Sequence, residues 1–156
     1  MNKLKSLLGL AGWVAVAFAA AGVGARTLPG DWYVSLIKPP FTPPAWIFAP
    51  VWTLLYLLMG VAAWRVWNRV GFRGAGVALT LFIVQLTLNA LWSYVFFGLH
   101  RTDFALINIG ALWMAILSVV VLFWRVDFWA GALLLPYLFW VSFASYLNLG
   151  LWRLNR

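Results

Sequence analysis

Gln85, Asn89, Trp92 and Phe96 follow one another at i, i+4, i+7 and i+11, so a helix through them carries an amide pair and two aromatic rings on one face. Such a face can stack on a flat apolar molecule and orient it by hydrogen bonds. Two further faces have the same chemistry. Phe48, Trp52 and Tyr56 stand one turn apart, and so do Tyr137, Trp140, Ala144 and Leu147, with Ala144 the small position in an aromatic wall. A small residue there either allows close helix contact or leaves room for a ligand between Trp52, Trp92 and Trp140. Pockets for drug-sized molecules are mostly apolar with a few placed polar groups, and Asn89 is the candidate polar group. No acid–base pair, nucleophile or metal site supports conventional catalysis. Cysteine is absent, which removes thiol chemistry and Cys-based zinc sites. The single histidine, His100, stands beside Arg101 at the end of an apolar run and reads as an interfacial residue, not a haem ligand.

The elements that must position these faces are membrane spans. With 65% hydrophobic and 9% charged residues, the chain lies far from soluble usage. It reads as one all-α integral membrane domain. A spanning helix needs about 20 mainly apolar residues, and five such runs are punctuated by the few charges: about 7–25, 45–64, 74–99, 104–124 and 128–152. Lys3 and Lys5 before the first run, with Val23-Gly24-Ala25 at its end, mimic a signal peptide, but the apolar stretch is longer than a typical signal core and is taken as a span. None of the five contains Asp, Glu, Lys, Arg or His, which argues against a proton relay, voltage sensor or ion-coupled carrier. A small-residue stripe, Ala17, Ala21 and Ala25 with Ala20 and Gly24 beside it, permits close approach of the first helix to a neighbour.

Between the first two spans lies residues 26–44, in which Pro39, Pro40, Pro43 and Pro44 fix φ and hold their predecessors extended. Together with Trp32, Lys38 and Trp46, these prolines describe a stiff aromatic lid. The net charge of +8 comes from basic residues placed singly at span ends, a pattern of headgroup anchoring that gives no reason to expect nucleic acid. Lys and Arg number six at one end of the expected bundle and five at the other, so the positive-inside rule chooses no orientation. Six of the twelve Trp, at 64, 67, 113, 124, 129 and 152, are accounted for as interfacial belt or lipid-facing residues; Trp52, Trp92 and Trp140 lie deeper.

The loop and second span (Trp32, Tyr33, Leu36, Lys38, Pro39, Pro43, Pro44, Trp46, Pro50, Trp52, Tyr56), the third span (Gln85, Asn89, Trp92, Phe96, Phe97, Gly98) and the fifth (Pro136, Tyr137, Trp140, Phe143, Ala144, Leu147, Asn148, Trp152, Arg153) together resemble the tryptophan-rich sensory protein family, also known as the translocator protein or peripheral benzodiazepine receptor family. The resemblance covers nearly the whole chain, and a bacterial member in a bacterial cell membrane is the favoured reading. It implies a bundle of five transmembrane helices, usually a homodimer, with a pocket at one end closed by the first loop. It implies binding of tetrapyrroles such as protoporphyrin IX and haem as ligands, with no required cofactor, for sensing, regulation or trafficking. The implied pocket is Trp52, Tyr56, Asn89, Trp92, Ser93, Trp140, Ala144 and Leu147, with Lys38 or Arg26 near the lid available to porphyrin propionates. An alternative role implied by some bacterial members is light-dependent oxidative breakdown of porphyrin, with Trp52 and Trp140 as the reactive indoles; transport of porphyrin or sterol-like molecules is a further one. Leu149 stands where animal members carry the Tyr of a sterol-recognition pattern, which disfavours sterol.

Overall fold

The computed structural model describes residues 2–156. Helix α1 (Lys3–Gly24) leads into the loop, where a short helix α2 (Asp31–Ser35) interrupts the proline-rich connector. After a 3-10 turn at Ala45–Ile47 comes α3 (Phe48–Ser93), then a π-helical turn at Tyr94–Gly98, α4 (Thr102–Val126), α5 (Phe128–Leu133) and α6 (Leu135–Leu154). All regular structure among the described residues is helical.

Helix α3 is two legs. Gly71 takes φ 64° and ψ −174°, a conformation open to glycine and costly for other residues, and Ala75 is also non-helical. The chain reverses there, so residues 48–70 and 76–93 run back to back and the fold has five long legs. The first leg continues one to two turns beyond Trp64, where the apolar run stops, carrying Arg65 and Arg69 out on helix. The last leg has a break of its own at Leu134, two residues before Pro136, whose ring and missing N–H suit the first turn of α6. Four helical stretches are long and apolar enough to cross a membrane, the one containing α3 extending over Ala45–Gly98 and therefore counting twice once its reversal is included.

The core lies where the two α3 legs, α4 and α6 meet, around Met59, Val66, Phe82, Ile116, Phe123 and Val141, all essentially inaccessible. The outward faces are apolar as well: Leu7, Val77, Ile107 and Phe139 are all exposed. Helix α1 attaches through its small residues together with Trp13, which packs on Phe82 and Phe72, and Phe18, which meets Tyr56. Ala17 is its single buried position, Ala20 and Ala21 pack against the core, and Gly24 lies against Ser93. The stripe is thus used within one chain. Gly60 on α3 meets the backbone of α1, since a Cβ there would come within 2.6 Å of Val14 Cα.

At the end opposite the loop, Asp127 closes the corner between α4 and α5. It caps α5 by accepting from the Ala130 amide at 2.9 Å, and it receives Arg65 through Nε at 3.1 Å and Nη2 at 2.9 Å, with Arg69 adding a bond at 3.2 Å. Burial by itself would raise the Asp127 carboxyl, but the Arg65 hydrogen bonds, the Ala130 amide and the guanidinium charge outweigh it and hold the group below the ordinary carboxylate range.

Two outcomes are expected. Gly60→Ala pushes a methyl group into Val14 and, at the usual cost of overpacking of about 1–3 kcal/mol, lowers the thermal midpoint in detergent, whereas Gly12→Ala, with open space at its Cβ, leaves it unchanged or slightly raised. Equal midpoints for the two would remove the α1–α3 contact from the account. For Asp127, a depressed folded value means that the stabilisation is complete above the unfolded carboxylate value of about 4 and is lost as pH falls through the lower folded one. Asp127→Asn should therefore be less stable than wild type at pH 7 and lose less on acidification from pH 5 to pH 3; parallel acid curves would contradict this.

Candidate functional site

The amide face of the second α3 leg is turned fully inward. The Tyr56 hydroxyl donates to Asn89 Oδ1, Asn89 Nδ2 donates to the Tyr137 hydroxyl at 3.0 Å, and Tyr137 donates onward to Gln85 Oε1 at 2.8 Å. Gln85 Nε2 ends the chain at Met59 Sδ, 3.8 Å away. All four polar residues are buried. This chain crosses from the first α3 leg to the second and on to α6, and a buried polar group left unpaired there would cost about 1–3 kcal/mol. Asn89 therefore has both ends of its amide engaged by tyrosines and serves the scaffold first. Tyr137, which spacing places on the α6 face but not among the pocket residues, is the link between the two amides. A mid-span tyrosine opposite two mid-span amides was the available signal.

One turn towards the loop, Trp92 Nε1 donates to Asn148 Oδ1 at 3.0 Å, and Asn148 Nδ2 donates to the Thr102 carbonyl at 2.9 Å, tying α3, α6 and the start of α4 together. The expected aromatic residues divide into three neighbourhoods. Trp52 packs on Tyr56 and edge-on to Tyr137, with centroids at 5.5 and 6.1 Å. Trp92 stacks on Phe96 at 4.9 Å and meets Phe97 edge-on. Trp140 meets Phe48 edge-on at 5.8 Å and touches Phe143. No ring contact joins Trp52, Trp92 and Trp140 to one another among the described residues. Ser93, Ala144 and these three indoles are half-buried, while Tyr56 and Leu147 are buried.

Trp140 has a further peculiarity. Its Nε1 is buried with no hydrogen-bond partner. The same residue lines an apolar groove of about 410 Å³ between the first α3 leg and α6, with Val51, Leu54, Leu55, Pro136, Phe139 and Phe143.

The loop closes over the upper aromatic cluster and is fastened at both ends. Trp32 stacks on His100 at 4.3 Å and meets Phe96 edge-on, and Tyr33 meets Phe96 and Phe97. His100, at φ 55°, ends this stretch of chain in the left-handed region. Lys38 does not stand free for an anionic ligand. Its Nζ donates to the carbonyls of Tyr33, Val34 and Leu36 at 3.0, 3.1 and 3.3 Å, satisfying the C-terminal end of α2, and lies over the Tyr33 ring. Arg26 remains exposed.

The second fastening is to α6. Asn155 pairs with both backbone groups of Ile37, accepting from its N–H at 2.9 Å and donating to its carbonyl at 2.9 Å. Pro39 is buried against Gly150, where a Cβ would approach its ring to 2.6 Å, and Tyr146 donates to the Pro40 carbonyl at 3.2 Å. Of the other lid residues, Pro43 is half-buried, whereas Pro44 and Trp46 are exposed, Trp46 by 74%, so that indole faces outward and not into the site. No local motif reveals the Asn155 clasp, which joins residues 118 positions apart.

A profile of the TspO/MBR family matches residues 7–153. The chain belongs to the TspO/MBR family. It is 42% identical over 142 residues to the protein CrtK of Rhodobacter capsulatus, covering 90% of this chain and 89% of that one. It is 41% identical to the tryptophan-rich protein TspO of Chlorobaculum tepidum across 99% of both chains, and 38% identical to the human translocator protein over 85% of this chain and 82% of that one. Family membership and the long apolar helices together make this a multi-pass integral membrane protein. The TspO/MBR match contains every expected pocket and lid residue; the clasp residue Asn155 lies two positions beyond it.

Because Ile37 N–H is itself held by Asn155, its exchange reports the clasp directly. Asn155→Ala should accelerate exchange of the Ile37 amide by at least about fivefold, the equivalent of one hydrogen bond of about 1 kcal/mol. Gly150→Ala should loosen the same segment by displacing Pro39, and Trp46→Ala should leave it unaltered. Unchanged exchange in both Asn155→Ala and Gly150→Ala would mean that the lid is held elsewhere.

Proposed function

We propose that this protein is a receptor-like tetrapyrrole-binding protein of a bacterial cell membrane. It takes protoporphyrin IX or haem among the half-buried aromatic residues beneath the first loop, for sensing, regulation or trafficking. The contact residues are Trp52, Trp92, Ser93, Trp140, Ala144 and Leu147, with Tyr56 and Asn89 forming the polar floor that holds these walls in place.

The observation that carries this reading is the Trp140 indole N–H. Gln85, Asn89, Tyr56, Tyr137 and Asn148 are all paired, yet this buried donor has no partner. Buried donors are rarely left so, and each one calls for a reason. A propionate oxygen would supply the missing acceptor while the tetrapyrrole ring stacks on indole and phenyl faces. Trp140 is also the one proposed contact residue that lines the groove of about 410 Å³ between the first α3 leg and α6, an apolar groove of small-molecule size that opens outward past Leu54 and Phe139. The names borne by relatives, sensory protein and translocator protein, fit a ligand-responsive membrane protein.

The test is a protoporphyrin IX titration of the purified protein in detergent, followed by quenching of Trp fluorescence. Wild type should show saturable quenching. Ala144→Phe, which fills the small position in the wall, should weaken binding at least about tenfold, and Trp140→Phe, which keeps the ring but removes the N–H, should weaken it severalfold, in line with the loss of one buried hydrogen bond. Unsaturable quenching that is equal in all three proteins would mean that porphyrin dissolves in the micelle, and the reading would fall.

A further inference from the structure

The six basic residues Lys3, Lys5, Arg65, Arg69, Arg73 and Arg125 are brought by the five legs to the end opposite the lid, where Asp127 is their only carboxylate neighbour among the described residues. At the lid end three of the five cations are engaged, Arg101 with Asp103, Lys38 with backbone carbonyls and Arg156 over Trp152, leaving Arg26 and Arg153. At the opposite end Arg65 and Arg69 share one carboxylate, and Lys3, Lys5, Arg73 and Arg125 are in no ion pair among the described residues. Six basic residues against five in sequence thus becomes a marked asymmetry in available positive charge.

Within that end, Trp64, Arg65, Asn68, Arg69 and Asp127 line a polar cleft of about 310 Å³. Its acceptors are already taken. Asp127 is saturated by Arg65, Arg69 and the Ala130 amide, and Asn68 Oδ1 accepts from the Ser6 hydroxyl at 2.8 Å. What the cleft presents is N–H: the remaining donors of Arg69, whose side chain is 61% exposed, those of Arg65, and the Asn68 amide nitrogen. A site with net positive charge and outward-facing donors is matched to phosphate.

We infer that this cleft binds the phosphate of an anionic phospholipid headgroup. Two features select a lipid over free phosphate. Trp64, whose indole donates to the Ser6 carbonyl, sits beside the cleft as an amphipathic belt residue at headgroup depth. On α1, which supplies Ser6 to both Trp64 and Asn68, Leu4, Leu7 and Leu8 each expose more than 60% of their surface, so the helix next to the cleft is apolar on its outward face. A basic cleft at the end of an apolar span has the chemistry of a headgroup site.

The test is to titrate purified protein in a zwitterionic detergent with dioleoyl phosphatidylglycerol or dioleoyl phosphatidylcholine and count retained lipid by native mass spectrometry. Phosphatidylglycerol should bind at least about fivefold more tightly than phosphatidylcholine, and Arg69→Gln should remove about fivefold of that, the effect of one basic residue near a charged leaflet. Asn68→Asp, which leaves the Asp127 pairs intact and adds a carboxylate at the mouth, should weaken phosphatidylglycerol by as much or more, while Arg153→Gln at the lid end should change nothing. Equal binding of the two lipids, or equal losses in Arg69→Gln and Arg153→Gln, would overturn the site. Displacement of phosphatidylglycerol by millimolar inorganic phosphate would show a free-phosphate site and overturn the lipid assignment.

Discussion

The hydrogen-bond chain from Tyr56 through Asn89 and Tyr137 to Gln85 is the constraint on which the rest of this structure depends. Apolar packing brings helices together in a membrane without choosing among their rotations, because lipid tails are as apolar as the side chains they replace. A chain of four buried polar groups does choose. Turning α6 by one residue would carry Tyr137 away from both amides and strand three polar groups in hydrocarbon. Once that rotation is set, Trp52 is held against Tyr137, and Trp140, one turn further along α6, reaches Phe48. The aromatic walls are therefore consequences of a polar register.

The two ends of the bundle are built on different physics. At the lid end the contacts that join the loop to the helices are neutral and geometric, an indole stacked on an imidazole, a proline seated against a glycine and an amide paired with a backbone, while the charges of Lys38 and of Arg101 with Asp103 are satisfied locally. At the other end they are ionic, with one carboxylate gathering two guanidiniums one turn apart. Neutral contacts of about 1 kcal/mol each can part locally without unfolding the legs beneath. The Asp127 pairs resist this more, since the carboxylate is buried and caps a helix, and separating it from its half-exposed arginines leaves that charge without a partner.

The helical faces were legible because a period of 3.6 residues assigns each side chain to a face regardless of what that face meets. Gln85, Asn89, Trp92 and Phe96 do share one face, and the long apolar runs do become helices. What the face meets was not legible. Asn89 turned towards Tyr137 and Asn89 turned towards a ligand require the same spacing, so only the tertiary contact separates them. Lys38 shows the same ambiguity in charge: a lysine beside prolines reads as a lid cation, but the short helix α2 supplies carbonyls that claim it first. The reversal at Gly71 falls within the connector expected between residues 64 and 74; what was not legible is that Arg65 and Arg69 remain on helix to reach Asp127. The Asn155 clasp left no local signal at all.

The most direct test of the polar-register claim is a double-mutant cycle between Tyr137→Phe and Gln85→Leu, read as unfolding free energy in detergent. The account requires each single variant to strand its former partner and the double variant to cost less than the sum, with a coupling of about 1 kcal/mol, the scale of interhelical hydrogen bonds in membrane proteins. Strictly additive losses would mean that Tyr137 and Gln85 act independently, and that apolar packing alone sets the rotation of α6.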